Sequence, residues 1–178
     1  MVHRVFAVTD HPKTKIVSDP VELVPLLVTF NNSGYKIVYE MLSKSWVTEK
    51  ELCQQYESEC INDCLKMLKK GNLIDEQWRT VPGKKPEKEY RVNYQKFRAN
   101  FQCTMEDLVS MLYISTSNDE KLRVLSDNIK VEVDSGNTSI GEIARKIGVK
   151  PIYVKGIAKR IPHFDVRGQG LILLDGEK

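Results

Sequence analysis

The sequence predicts a mainly α-helical chain with small β-hairpins (α+β): an N-terminal winged helix-turn-helix, central helices, and a second, C-terminal winged helix-turn-helix. Three observations predict it. Apolar residues recur at helical spacing along most of the chain, as Ile61, Cys64, Leu65 and Leu68 do. Alternating runs at 73–79 and 89–94 flank VPGKKPEK, whose prolines and glycine mark a turn. Residues 140–159, IGEIARKIGVKPIYVKGIAK, follow the helix-turn-helix pattern.

Taken in order, residues 3–9 (HRVFAVT) read as a short strand that His11-Pro12 ends. Asp19-Pro20 pairs an N-cap residue with proline at the first helical position. The apolar helix VELVPLLV follows, with Pro25 expected to disturb it. Asn31, Asn32 and Ser33 make the next break. Tyr35, Ile37, Val38, Met41 and Leu42 then space a helix over 33–43. Thr48 with Glu51 forms a capping box and opens a helix through Tyr56. A tight turn leads to a helix over 58–70, closed by Gly71.

From Thr104 a helix places Met105, Leu108, Val109 and Leu112 on one apolar stripe, expected together with the next helix to supply much of the dimer contact. After STSND, a helix over 118–134 aligns Leu122, Leu125, Ile129 and Val133, and Ser135-Gly136-Asn137 stops it. Thr138 or Ser139 caps a helix through Ile147, Gly148-Val149 turns, and Pro151 enters a helix over 151–161. Two short strands, 164–167 and 171–174, surround Gly168-Gln169-Gly170. The chain divides into 1–100 (N-terminal winged unit), 101–136 (linking and dimerisation helices) and 137–178 (C-terminal helix-turn-helix with a small wing).

The 178 residues hold 27 basic and 24 acidic side chains, so a net charge of +3 does not by itself imply a polyanionic partner. The placement of the charge does. In the C-terminal unit Ala144 is the small residue where two helices touch, and Gly148 tolerates left-handed geometry in the turn. Ile143, Ile147, Val149, Val154 and Ile157 lock the second helix on the first. On that second helix Lys150, Lys155, Lys159 and Arg160 are candidate phosphate contacts. Ile152 and Tyr153 stand near its N-terminus, where base edges are met. Gly156 permits close backbone approach, and Arg167 lies at the small wing.

The first unit is basic in its wing and acidic in its helix. Arg79, Lys84, Lys85, Lys88, Arg91, Lys96 and Arg98 outweigh Glu87 and Glu89, and Lys84, Lys85 and Lys88 are the candidate minor-groove contacts. Glu57, Ser58, Glu59, Asn62 and Asp63 occupy the positions of its helix that would face DNA. That face repels phosphate, or it suits a basic protein partner.

The segments DPVELVPLLVTF, GNLIDEQWR, PGKKPEKEY and NFQCTMEDL make the chain resemble archaeal, mainly methanogen, ArsR-type transcriptional regulators. The resemblance covers nearly the whole chain. It implies a winged-helix fold, dimerisation and binding of double-stranded DNA, and it implies no particular effector.

Cys53, Cys60 and Cys64 are candidates for a thiol or metal sensor, since Cys60 and Cys64 share a helix face. The alternative is that Cys64, on the inner stripe, is a small hydrophobe. Cys103 is expected at the foot of a helix, buried. The three histidines are scattered, and no phosphate loop, nucleophile elbow or zinc-protease spacing occurs. No metal or cofactor is therefore expected, and no enzymatic role. No apolar run approaches the ~20 residues of a membrane span, and no signal peptide opens the chain, so a cytoplasmic protein with reduced cysteines is expected. The expected function is a sequence-specific DNA-binding transcriptional regulator acting as a homodimer. The alternative is a winged-helix protein–protein interaction module in the transcription machinery.

Overall fold

A computed structural model describes residues 13–54 and 57–174. The strand expected at 3–9 lies outside them. The described chain is a mainly helical α+β structure with small sheets. No helix of it is long and apolar enough to cross a membrane.

β1 (Thr14–Val17) leads into a 3-10 turn, Pro20–Glu22, where the Asp19 carboxylate accepts from Val21 N. α1 (Leu23–Asn31) follows without interruption. Pro25 does not disturb it, because it falls in the first helical turn, where the missing N–H has no intrahelical acceptor to lose. Asn32 caps α2 (Ser33–Lys44). β2 (Val47–Thr48) and α3 (Glu49–Cys53) come next, joined by the expected Thr48–Glu51 capping box. α3 ends at Cys53, and the expected continuation through Tyr56 lies outside the described residues.

α4 (Ser58–Lys70) has the expected bounds, but its end differs in detail. Gly71 keeps right-handed geometry, and Asn72 takes the left-handed one at φ 51°. Gly71 is needed for space instead, since a Cβ there would lie 2.9 Å from Pro25 Cβ. β3 (Ile74–Arg79) and β4 (Glu87–Val92) form the hairpin, and β2 adds on the far side of β4 to give the order β2-β4-β3. β5 (Lys96–Ala99) then returns to pair in parallel with β1.

α5 (Met105–Thr116) and α6 (Asp119–Asp134) are capped by Thr104 and Asn118. α7 (Ile140–Ile147), capped by Ser139, turns at Gly148 (φ 71°) into α8 (Pro151–Arg160). β6 (Phe164–Arg167) and β7 (Gly170–Leu173) close the chain. The segment before α7 adds to β7: Leu171 N donates to Thr138 O at 2.8 Å, and Ile140 N to Gln169 O at 3.1 Å. The order stub-β7-β6 thus repeats β2-β4-β3.

Two apolar cores result. One joins α2, α3, α4 and the three-stranded sheet through Val38, Leu42, Leu52, Ile61, Leu68 and Tyr90. The other gathers α7, α8 and β6–β7 with α6, α5 and α1, and even takes Met67 from α4. The apolar stripe of α6 turns to the core: Leu122 and Ile129 are buried. That of α5 faces solvent. Met105 is 74% exposed, Val109 58% and Leu112 43%, while Ser110, Met111, Ile114 and Ser115 face inward. The two serines can do so because their hydroxyls donate to Glu106 O and Met111 O four residues back. Their small size lets neighbouring helices come close.

Candidate nucleic-acid interface

The first unit offers two surfaces of opposite charge. At the start of α4, Glu57, Ser58, Glu59 and Asp63 are exposed and Asn62 is half-buried. The cations farther along are engaged: Lys66 lies 3.7 Å from Asp63, and Lys69 lies 2.8 Å from Glu76. The acidic character read from the sequence is therefore the character of this helix face.

The hairpin carries the opposite sign. Its register sets Trp78 beside Lys88 and Arg79 beside Glu87. Arg79 is a structural cation: it donates to Glu89 at 2.5 Å, to Glu51 at 2.7 Å and to Trp46 O at 3.1 Å. It thereby ties β3 to the capping box. The Thr48 N–H, and then Arg79, hold the Glu51 carboxyl below its ordinary value. Lys50 pairs with Glu87 at 2.5 Å. Lys88 lies 3.5 Å from Glu76 and over the Trp78 ring.

Lys84 and Lys85 remain. Both are exposed in the loop that Gly83 (φ 79°) turns, and neither has an ion pair among the described residues. They rim a groove of about 560 Å³ between α3 and the loop. The carboxylates of that groove, Glu51 and Glu87, already have Arg79 and Lys50, so two free ammonium groups set its net charge.

In the second unit Ala144, Ile143, Val154 and Ile157 are buried where α7 meets α8, as the helix-turn-helix pattern requires. The far side of α8 is occupied as well. A Cβ on Gly156 would lie 2.7 Å from Ile114 Cδ1 and 3.0 Å from Met111 Cε, so the close approach it permits is to α5. Ile152 and Tyr153, expected to be exposed, are half-buried against the second core.

The cations on and before α8 are engaged with neighbouring elements, Lys150 at the surface and Arg160 largely buried. Lys150 lies 2.6 Å from Glu106, and Lys155, 24% exposed, lies 3.8 Å from Asp19. Arg160, 11% exposed, donates to Ile114 O at 3.1 Å, to Ser115 O at 2.7 Å and to Asp119 at 2.8 Å. Lys159 lines a small cavity with Lys70, Lys15 and Glu22. Arg167 is exposed at the second hairpin, 3.5 Å from Asp165.

Lys70 is a functional-looking residue that periodicity does not reveal. It ends α4, is largely buried, and donates to Phe164 O at 2.6 Å and to Ile161 O. Burial, with Lys159 nearby, brings its ammonium down to about 7. The strand pair β1–β5 also escapes sequence reading. Four-residue strands whose partners lie more than seventy residues away leave no hairpin signal.

Cys64 is buried beneath α2, its thiol donating weakly to Tyr35 O at 3.8 Å, and burial pushes it up to about 12. Cys53, Cys60 and Cys103 are half-buried. Among the described residues no three His, Cys, Asp or Glu side chains are grouped to hold a metal ion.

The model of a family described as ArsR transcriptional regulator matches residues 17–175. No curated protein matches the chain.

Proposed function

Because the chain belongs to the ArsR transcriptional regulator family, we propose that it is a sequence-specific regulator with two winged-helix units, binding double-stranded DNA as a homodimer. The observation that carries the reading is the hairpin tip. Lys84 and Lys85 are exposed without an ion pair among the described residues, in the loop of the β3–β4 hairpin that follows α3 and α4. Such a tip meets the phosphates beside a groove and positions the protein there. Lys88 and Arg167 stand at the flanks of the two hairpins and add to it.

The repeat of the strand order around β7 supports a second winged unit. In this reading α8 docks the second unit onto the first. Lys150, Lys155, Lys159 and Arg160, with Ile152 and Tyr153, serve that docking. The exposed stripe of Met105, Val109 and Leu112 on α5 supports the homodimer.

Titration of a labelled duplex between 50 and 200 mM salt tests the reading. K84A/K85A is expected to weaken binding to unrelated duplexes uniformly and to reduce the salt slope by about two. An unchanged slope rejects the hairpin tip as the contact.

A second reading has its own observation, the exposed carboxylates Glu57, Glu59 and Asp63 on α4. They suit a basic protein partner. Wild-type protein that shows no salt-dependent affinity for any duplex, yet loses a specific protein partner on E59Q/D63N substitution, favours it.

A further inference from the structure

The parallel ribbon of β1 and β5 joins two basic segments from opposite ends of the first unit. Thr14 stands opposite Lys96, and Ile16 opposite Arg98, so these four side chains share one face. Val17 points to the other face and is fully buried, which turns the Lys96–Arg98 face to solvent. All four of these side chains are exposed, Ile16 to 53%. Neither strand contains a carboxylate, and neither Lys96 nor Arg98 has an ion pair among the described residues. Lys13 is exposed beside them, bonded to the neutral Asn93 amide oxygen at 2.9 Å. The nearest acid named by these contacts, Asp75, already accepts from Asn93.

We propose that the outer face of the β1–β5 ribbon is a second contact with the DNA backbone, with Lys96 and Arg98 on phosphates and Thr14 and Lys13 beside them. This rests on the reading of the chain as a DNA-binding regulator. The two cations lie two residues apart, about 6.6 Å along the strand. Arg98 supplies a planar fork that grips a phosphate with two bonds, and Lys96 supplies a point charge. Ile16, opposite Arg98 on β1, keeps water from a backbone lying across the face.

The ribbon is not an extension of the hairpin tip. β4 (Glu87–Val92) runs away from the tip, and its six residues span about 20 Å. That is the rise of about six base pairs. Lys84–Lys85 and Lys96–Arg98 therefore reach separate stretches of a duplex. The ribbon contact is to phosphate alone, so it positions without reading sequence.

Full-length wild type, K84A/K85A, K96A/R98A and the fourfold variant are titrated with fluorescent duplexes of unrelated sequence between 50 and 200 mM salt. Unchanged thermal melts establish that the fold is kept. K96A/R98A is expected to weaken every duplex alike and to lower the salt slope by about two, and the fourfold variant by about four. If K96A/R98A follows wild type while K84A/K85A weakens, the ribbon is not a contact and the DNA-binding reading stands. If wild type shows no salt-dependent binding, both fall together.

Discussion

Two cations, Lys70 and Arg160, act on backbone carbonyls at the seam between the units. Arg160 fills the end of α5, where the carbonyls of Ile114 and Ser115 lack helical partners. Its ion pair with Asp119 contributes little, since that carboxylate is largely exposed. Arg160→Ala is expected to cost about 1–3 kcal/mol, because it leaves covered carbonyls unpaired. Urea unfolding measures this, and a loss below half a kcal/mol refutes the role. Lys70 behaves differently. In the folded chain its ammonium titrates at about 7, against an ordinary 10.5. Between those values the unfolded chain binds more protons, so stability rises with pH across that window. Below it both states are charged and the cost is constant. Unfolding free energies measured from pH 6 to 10 are expected to rise more steeply in wild type than in Lys70→Gln, and parallel profiles would reject the assignment. Neither role is legible in the sequence. Lysine at a helix end and arginine on a basic helix read as solvent or phosphate contacts, and only the tertiary approach of α4 to the Ile161–Phe164 segment, and of α8 to the end of α5, makes them internal.

Among the elements, α5 separates what periodicity can tell from what it cannot. The spacing of Met105, Val109 and Leu112 fixes a helix and an apolar face, yet two faces of this helix are apolar enough to be buried. Ser110 and Ser115 win the inner side because they are small and bond to their own helix. The larger stripe is left uncovered, as a self-associating surface requires. Val109→Asp is expected to shift the chain from dimer to monomer in sedimentation velocity with its circular dichroism unchanged. A wild type that sediments as a monomer at tens of micromolar sinks the proposal. Other elements were legible to within a residue or two. α7 announces itself through cap, stripe and terminal glycine, α4 through its stripe and Gly71, and the capping box at Thr48 needs only local contacts. β1 and β5 do not, since their pairing is a long-range event.

At the scale of the whole molecule, the order of the cores does not follow the order of the chain. Val21 of the 3-10 turn, Val24 and Val28 of α1 and Met67 of α4 lie in one apolar cluster with Ile157, Phe164 and Leu171. The two units are therefore expected to unfold together. Both tryptophans, Trp46 and Trp78, lie in the first unit, while circular dichroism follows every helix. The urea transitions from the two probes should coincide. A fluorescence transition displaced from the helical one would mean that the units melt independently. The sequence shows both helix-turn-helix patterns and the hairpin after each, because those are local. It does not show that α8 is covered, because the covering residues come from α1 and α5.

The pooling of early and late residues in one core also bears on how the chain is made. Synthesis on the ribosome runs from α1 toward β7, and domains close as their last neighbours emerge. The apolar cluster of α2, α3, α4 and their sheet is complete once Val92 is out. α1, finished far sooner, keeps Val24 and Val28 open until the segment from Val154 to Leu171 has been added. For most of translation the nascent chain thus carries a half-covered apolar helix beside the first core, a surface that chaperones are suited to hold.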